Sequence, residues 1–229
     1  MAQFSKSRFA AWLQKIVSQR RQESGLYSEI AGHLPLEGAV KVLDIGTGTE
    51  LQLRAINRIQ PAAELFGIDL SGAAIDVARK ALGNLPSDLR VGSIEKTTYP
   101  DDFFGIVTCN SSMSYWDNPL SCFNEIYRIL KPGGVVKLFE PHQDIDLEGA
   151  LDQIRENMAD NPPLRRWGAV QLNKFALQRG RKVGLNLYTR DDLLELARSS
   201  RFGENCAVDY TSLLDIPIFV CIQLWKPER

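Results

Sequence analysis

Two rhythms alternate along the chain. Short, nearly continuous apolar runs are separated by stretches in which apolar positions return every third or fourth residue. The first rhythm predicts buried strands and the second predicts helices with one apolar face. Phe9, Leu13, Ile16 and Val17, widened by Trp12, predict an amphipathic N-terminal helix. Tyr27, Ile30, Ala31 and Leu34 predict a second, ended by Pro35 and Gly38. Strands are predicted at Val40–Ile45, Leu65–Ile68, Leu89–Val91, Phe103–Cys109 and Val135–Phe139. Between them, helical faces fall on Leu51, Ala55, Ile56 and Ile59, then on Ala74, Ile75, Ala78 and Leu82, then on Leu120, Phe123, Ile126, Ile129 and Leu130. Ser71 can cap the middle one of these three, and Lys131-Pro132-Gly133-Gly134 stops the last.

Strands that alternate with helices at this spacing specify an α/β fold, a mostly parallel sheet with helices on both faces. The rhythm breaks over residues 140–188, which hold charged helical stretches and the pair Pro162-Pro163. It resumes at Thr189, which stands in capping-box spacing with Asp192 ahead of the helical face Leu193, Leu194, Leu196 and Ala197. Cys206–Tyr210 and Ile218–Trp225 predict two closing strands, paired antiparallel around Asp215 and Pro217, seven strands in all. The expected organisation is one domain, 1–229. It comprises an N-terminal helical cap (1–38), a ligand-binding core (39–139), an inserted cap (140–188), and a closing helix and strands (189–229).

Composition changes this picture little. A chain of this size hides roughly 70% of its extended surface on folding, so its core needs no metal or disulfide. Twenty-seven basic residues against 28 acidic ones give a net charge of -1, which disfavours a general nucleic-acid binder. No apolar run approaches the roughly 20 residues of a membrane-spanning helix. The opening MAQFSKSRFAAWLQKIV lacks the clean apolar centre of a signal peptide. Cys109, Cys122, Cys206 and Cys221 match no metal spacing, and Cys109 and Cys221 are expected to be small buried hydrophobes in strands. A cytoplasmic location fits, no membrane partner is expected, and a homodimer stays open.

The chemistry concentrates after the first strand. Asp44-Ile45-Gly46-Thr47-Gly48-Thr49-Glu50 leaves a strand and opens a helix. Gly46 permits a tight turn, and Gly48 lets a ligand approach backbone. Asp69, after the second strand, can accept both hydroxyls of a ribose. A pyrophosphate would need the helix N-terminus free of competing anions, yet Asp44 and Glu50 flank it. A nucleoside carrying a sulfonium and an ammonium suits such a crevice, which points to S-adenosylmethionine. A structural loop with Asp44 capping the turn, or NAD or FAD, are the other readings.

Taken in order, Val42-Leu43-Asp44-Ile45-Gly46-Thr47-Gly48-Thr49, Gly67-Ile68-Asp69-Leu70-Ser71, Gly92-Ser93-Ile94 and Arg128-Ile129-Leu130-Lys131-Pro132-Gly133-Gly134 resemble the class I S-adenosylmethionine-dependent methyltransferases of small-molecule type. The resemblance covers about residues 40–140 and implies a Rossmann-like fold. It implies that Gly46 and Gly48 approach the methionine part of the cofactor S-adenosyl-L-methionine, with Thr47 between them a further cofactor-binding candidate, and that Asp44 lies near its ammonium. It further implies that Asp69 binds the ribose, that Leu70, Ser93 and Ile94 lie at the adenine, and that Asn110 and Ser111 floor the pocket. Tyr27 stands where an N-terminal helix folds over the cofactor in similar enzymes. Two positions depart from the family: Glu50 stands where glycine is usual, and Ser93 where aspartate is frequent. A side chain at 50 either narrows the pocket or points away from it. Serine still accepts from the adenine amino group, more weakly.

Methyl transfer needs a nucleophile held in line and water kept out, so a strong base is optional. His142, after the fifth strand, is the candidate base, against a plainer role in a cap hydrogen bond. Tyr115, Trp116, Glu140 and Tyr188 are the candidate substrate contacts, consistent with an apolar or aromatic small molecule; the plainer reading packs Tyr115 and Trp116 under the cap. Glu140 could instead orient the imidazole. Arg165, Arg166, Arg179, Arg181 and Lys182 either meet an anionic substrate group or form a solvated surface. Nothing calls for a metal. The leading expectation is methyl transfer to an oxygen, nitrogen or carbon of a small metabolite. A non-catalytic cofactor-binding or partner protein, and an RNA or protein methyltransferase, remain as alternatives, because the fold alone does not fix function.

Overall fold

In the computed structural model, the described residues are 25–144, 146–157, 159, 162, 186–213 and 216–228. The predicted helix on Phe9–Val17, the basic residues Arg165, Arg166, Arg179, Arg181 and Lys182, and Asp215 lie outside them.

The chain runs α1 (Leu26–Gly32), β1 (Lys41–Ile45), α2 (Leu51–Ile59), β2 (Glu64–Asp69), α3 (Gly72–Leu82), β3 (Ser87–Val91), β4 (Phe104–Asn110), a 3₁₀ turn (Met113–Tyr115), α4 (Pro119–Ile129), β5 (Leu130–Pro141), α5 (Leu147–Asn157), α6 (Arg190–Ser199), β6 (Cys206–Leu213) and β7 (Ile216–Trp225). The seven strands form one sheet in the order β3-β2-β1-β4-β5-β7-β6. The first five are parallel, and β7 enters antiparallel between β5 and β6. The sequence-predicted elements that fall among the described residues are present, with shifted ends. The fourth strand runs one residue later than expected, so Asn110 closes the strand rather than following it.

Alternation along the strands sorts the core into two layers. Val42, Ile106, Leu65 and Leu89 face Leu53, Ile56, Ile75, Ala78 and Leu82 of α2 and α3. On the other face, Leu43, Ile45, Val107, Val136, Leu138 and Ile222 meet Phe123, Ile126 and Ile129 of α4 and Leu193 and Ala197 of α6. Leu26 and Ile30 of α1 cover Phe139 and Phe219. A fully buried side chain of this kind contributes roughly 1.5–3 kcal/mol. Cys109 is buried as expected, but Cys221 is only half-buried.

Caps end the helices where the sequence places them. The Ser71 hydroxyl accepts from the Ala74 N–H at 3.2 Å. Thr189 and Asp192 exchange both bonds of a capping box. At the far end of the sheet, Lys226 donates to the carbonyls of Tyr127 (3.0 Å) and Leu130 (2.8 Å), which ties β7 to the end of α4. Between β1 and β4 the strand order reverses. In an open parallel sheet, ligands bind in the crevice at that point, beyond the carboxyl ends of the strands.

Candidate active site

The glycine turn occupies this switch point. The N–H groups of Gly46 (2.8 Å) and Thr47 (3.2 Å) donate back to the Ile68 carbonyl, which binds the turn to β2. Gly46 has φ 69°. A Cβ built there would meet the Ser112 side chain at 2.5 Å, so only glycine fits. Gly67, without the positive φ, also has little room, because a Cβ would lie 2.8 Å from the Leu89 side chain and 2.9 Å from that of Thr47. The sequence reading assigned Gly67 no role, since nothing local reveals how near Leu89 and Thr47 come.

Asp69 joins the two sides of the crevice. One carboxylate oxygen accepts from the Gly48 N–H at 3.0 Å and the other from the Ser71 N–H at 2.8 Å. Each oxygen keeps a second lone pair for a ligand hydroxyl. Asp44 is 3% exposed and lies beneath the turn. Burial, reinforced by the Asp69 charge and opposed by the Thr47 hydroxyl, pushes its carboxyl up to about 7. A cation brought into the crevice would favour the ionised form of this acid.

Glu50 occupies the position just before α2 with φ 77°, the left-handed conformation that suits glycine, and its side chain makes no capping bond. It is 7% exposed and turns toward Arg54 one helical turn on, with Oε1 3.7 Å from the guanidinium. Burial pushes it up to about 7, against the pull of Thr49 and Arg54. The expectation that Glu50 flanks the crevice beside Asp44 is therefore modified by its pairing along its own helix.

The remaining cofactor candidates sit around the same edge. Leu70 is exposed. Ser93 is half-buried, and its hydroxyl accepts from the Glu95 N–H at 3.1 Å. Ile94 is buried in the core with Ile45 and Ile68. Asn110 keeps a buried side-chain N–H that has no protein acceptor, while its oxygen accepts from the Ser111 hydroxyl at 3.0 Å. Tyr27 is half-buried on α1 and borders a small cleft with Leu51, Arg54 and Arg58 of α2. The unpaired Asn110 donor, the two-armed Asp69 and the side-chain-free cradle at Gly46 together fit a nucleoside with polar groups.

The substrate candidates gather beyond β4 and β5. Tyr115 is 57% exposed, whereas Trp116 is buried edge-on against Phe123 in the core. Tyr188 packs partly on the same core, and burial, with Glu140 nearby, raises its hydroxyl pKa. Glu140 is buried and accepts from the backbone of Ser112 and Met113, both at 2.9 Å. His142 is buried too, with its ring 4.8 Å from that of Tyr210. His33 is exposed on the other side of β5, tilted over Phe139.

The contacts of three residues here escaped the sequence reading. Asn186 donates through its backbone to Ser114 (3.3 Å) and through its side chain to Trp116 (3.4 Å), and next to it the Tyr188 carbonyl accepts from Gln143 (2.9 Å). This segment thus links the loops after β4 and β5. The Ser112 hydroxyl donates to the Ile45 carbonyl at 3.2 Å, which joins β4's loop to the glycine turn. Tyr210 reaches His142 from β6 and points its hydroxyl at Asp144. No local pattern announces any of these, since each depends on partners far away in sequence.

Comparison with known proteins bears on the family and the fold. Residues 43–138 match the family described as methyltransferase domain. The chain is 32% identical over 101 residues to the demethylmenaquinone methyltransferase of Chlorobaculum parvum, an overlap of 44% of this chain and 41% of that protein. It is 39% identical over 111 residues to the ubiquinone biosynthesis O-methyltransferase of Azoarcus sp., covering 47% and 46%. The chain thus spans less than half the length of these curated relatives. In fold, it superposes on the plantazolicin methyltransferase BpumL in complex with SAH with a TM-score of 0.67 at 14% identity, over 98% of this chain and 93% of that one. Among the described residues, no helix is long and apolar enough to cross a membrane.

Proposed function

We propose that the chain carries a class I S-adenosylmethionine-dependent methyltransferase domain and transfers a methyl group from S-adenosyl-L-methionine to an oxygen, nitrogen or carbon of a small metabolite. The observation that carries the proposal is Asp69, whose carboxylate spans the glycine turn and the start of α3 at the switch point of the sheet. In this reading Asp69 receives the ribose hydroxyls, and Leu70, Ser93 and Ile94 border the adenine. Gly46, Thr47 and Gly48 offer backbone to the methionine part, and Asp44 balances its ammonium. Asn110 and Ser111 lie beneath, and Tyr27 approaches from α1. When bound, the cofactor supplies an electrophilic methyl and leaves as S-adenosylhomocysteine.

The acceptor side is assigned to the edge beyond β4 and β5. Tyr115 and Tyr188 offer aromatic surface, Trp116 backs the wall, and Glu140 lies at its base. His142 is assigned as the group that takes the proton from an acceptor hydroxyl, since it places an imidazole, a side chain able to accept a proton, just past the end of β5 beside this edge. The aromatic side chains of Tyr115 and Tyr188 and the quinone-biosynthesis relatives both support a small organic acceptor with apolar surface.

Calorimetry with S-adenosylmethionine tests the cofactor assignment. Removing a carboxylate that binds two hydroxyls costs roughly 1.5–3 kcal/mol, so Asp69→Ala should weaken binding about ten- to a hundredfold. Equal affinity in parent and variant would overturn it. Transfer of labelled methyl to candidate metabolites separates an enzyme from a cofactor-binding protein that turns nothing over. Salt-dependent RNA affinity would point to the nucleic-acid alternative.

A further inference from the structure

We propose that Glu140 is a positioning residue for the cofactor pocket, acting by its length rather than its charge: one carboxylate oxygen fixes the turn that follows β4. This rests on the reading that Asn110 and Ser111, at the start of that turn, floor the cofactor site.

The geometry is compact and closed. Three donors converge on Oε1 of Glu140: the N–H groups of Ser112 and Met113, each at 2.9 Å, and the Cys109 thiol at 3.4 Å. Successive backbone N–H groups converging in this way form a small anion cradle, and here the anion is built into the protein. Ser111, just before the cradle, has φ 56°. A serine in the left-handed region is strained, and the strain persists only where its surroundings enforce it. Two contacts from β5 do so: Glu140 behind the turn, and the Phe139 carbonyl, which accepts the Ser111 N–H at 2.9 Å.

The consequence reaches the glycine turn. Held by Glu140, Ser112 donates its hydroxyl to Ile45, and its side chain fills the space that a Cβ on Gly46 would take. A line of contacts therefore runs from β5 through the β4 turn to the end of β1. Glu140 thereby sets the separation between the two backbone segments assigned to hold the methionine part of the cofactor. A substrate-binding carboxylate at this position would work by charge. The role inferred here works by reach, because a neutral amide oxygen at the same distance also accepts from both N–H groups.

Two variants separate reach from charge. Glu140→Gln keeps the length and loses the charge; Glu140→Asp keeps the charge and withdraws the oxygen by one methylene. We expect amide exchange at Ser112 and Met113 to quicken at least tenfold in Glu140→Asp and to stay near the parent's in Glu140→Gln. Calorimetry with S-adenosylhomocysteine should follow the same order: at least tenfold weaker binding for Asp, within about threefold of the parent for Gln. Unchanged exchange in Glu140→Asp, or binding that tracks charge instead of length, overturns this role alone. A parent protein that does not bind S-adenosylhomocysteine overturns the cofactor reading, and this role with it.

Discussion

The sheet has two halves that are built differently. From β3 to β4 the strands are parallel, and what lies at their ends comes from short local segments: a glycine turn, an acid, a helix cap. Asp69 bonds to Gly48 and Ser71, and Gly46 and Thr47 bond back to β2, so two short motifs, 21 residues apart where Gly48 meets Asp69, build most of this edge. From β5 to β6 the sheet turns antiparallel, and its edge is assembled from distant segments. Glu140 meets Ser112, His142 meets Tyr210, and Asn186 meets Ser114 and Trp116. The first half can therefore be recognised as a motif. The second carries no such signature, because its contacts are tertiary, and one of them, Glu140 to Ser112, reaches back through Ile45 to the glycine turn.

The sharpest way to break this division is at Gly46. Gly46→Val imposes a branched side chain on a left-handed residue and drives it into Ser112. Strain of this kind costs roughly 1–3 kcal/mol before the clash is counted. The variant should lose measurable S-adenosylmethionine binding by calorimetry and should unfold several degrees below the parent in a thermal scan. Binding at parental strength would mean that the crevice lies elsewhere.

On the other half, His142→Gln should act on turnover alone. A general base contributes typically a hundred- to ten-thousandfold. With a hydroxyl acceptor, the labelled-methyl assay should fall by at least a hundredfold while cofactor affinity stays within twofold. Equal turnover would remove His142 from the mechanism and leave its contact with Tyr210 as packing.

The same division explains what the sequence made legible. Strand and helix order, the Ser71 cap, the Thr189 capping box and the stop after α4 follow from local spacing, and all are present. So is the ordered set of glycines and acids at the switch point. Glu50 shows the limit of such a reading. Its place at a glycine position was visible, but its left-handed backbone and its turn toward Arg54 depend on how α2 sits. Trp116 shows a second limit, since an aromatic run after a strand looks alike whether it lines a pocket or, as here, packs on Phe123. The Glu140 cradle was out of reach because its donors lie in the loop after another strand.

Protons sharpen the comparison further. Asp44 is held at about 7 by burial, with Asp69 adding to the effect, far above an ordinary carboxyl. In the unfolded chain it ionises near 4. Between about pH 4 and 7 the folded state thus keeps a proton that the unfolded state has lost. Its contribution to stability is full below pH 4 and is lost as pH rises through 7, at a slope approaching 1.4 kcal/mol per pH unit. Glu50, also at about 7, acts in the same direction. The ligand-free protein should therefore melt at a higher temperature at pH 5 than at pH 8. Asp44→Asn should flatten this dependence and melt above the parent at pH 8. A bound cation favours the ionised acid, so S-adenosylmethionine binding at pH 6.5 should release protons, seen as buffer-dependent heats in calorimetry. A melting temperature that climbs from pH 5 to 8 would contradict the assignment.

The smallest expected effect lies in the closing segment, away from the crevice. Thr189 begins α6 by accepting from the Asp192 N–H at 3.1 Å, while the Asp192 carboxylate accepts from the Thr189 N–H at 2.9 Å. The Thr189 hydroxyl, which donates to the Asp192 carboxylate at 2.7 Å, and the Thr189 N–H hold that carboxyl below the usual range. Thr189→Ala removes one arm of the box and should cost about 1 kcal/mol, a few degrees of melting temperature. Because α6 packs Leu193 and Ala197 beneath the sheet and contributes nothing to the glycine turn, affinity for S-adenosylmethionine should not move. Turnover is the informative reading. Thr189 directly follows Tyr188, which meets Gln143 beside the acceptor edge, so a loosened helix start should raise the acceptor KM before it touches the cofactor. A loss of cofactor affinity in Thr189→Ala would show that the two halves of the sheet are coupled more tightly than their separate construction implies.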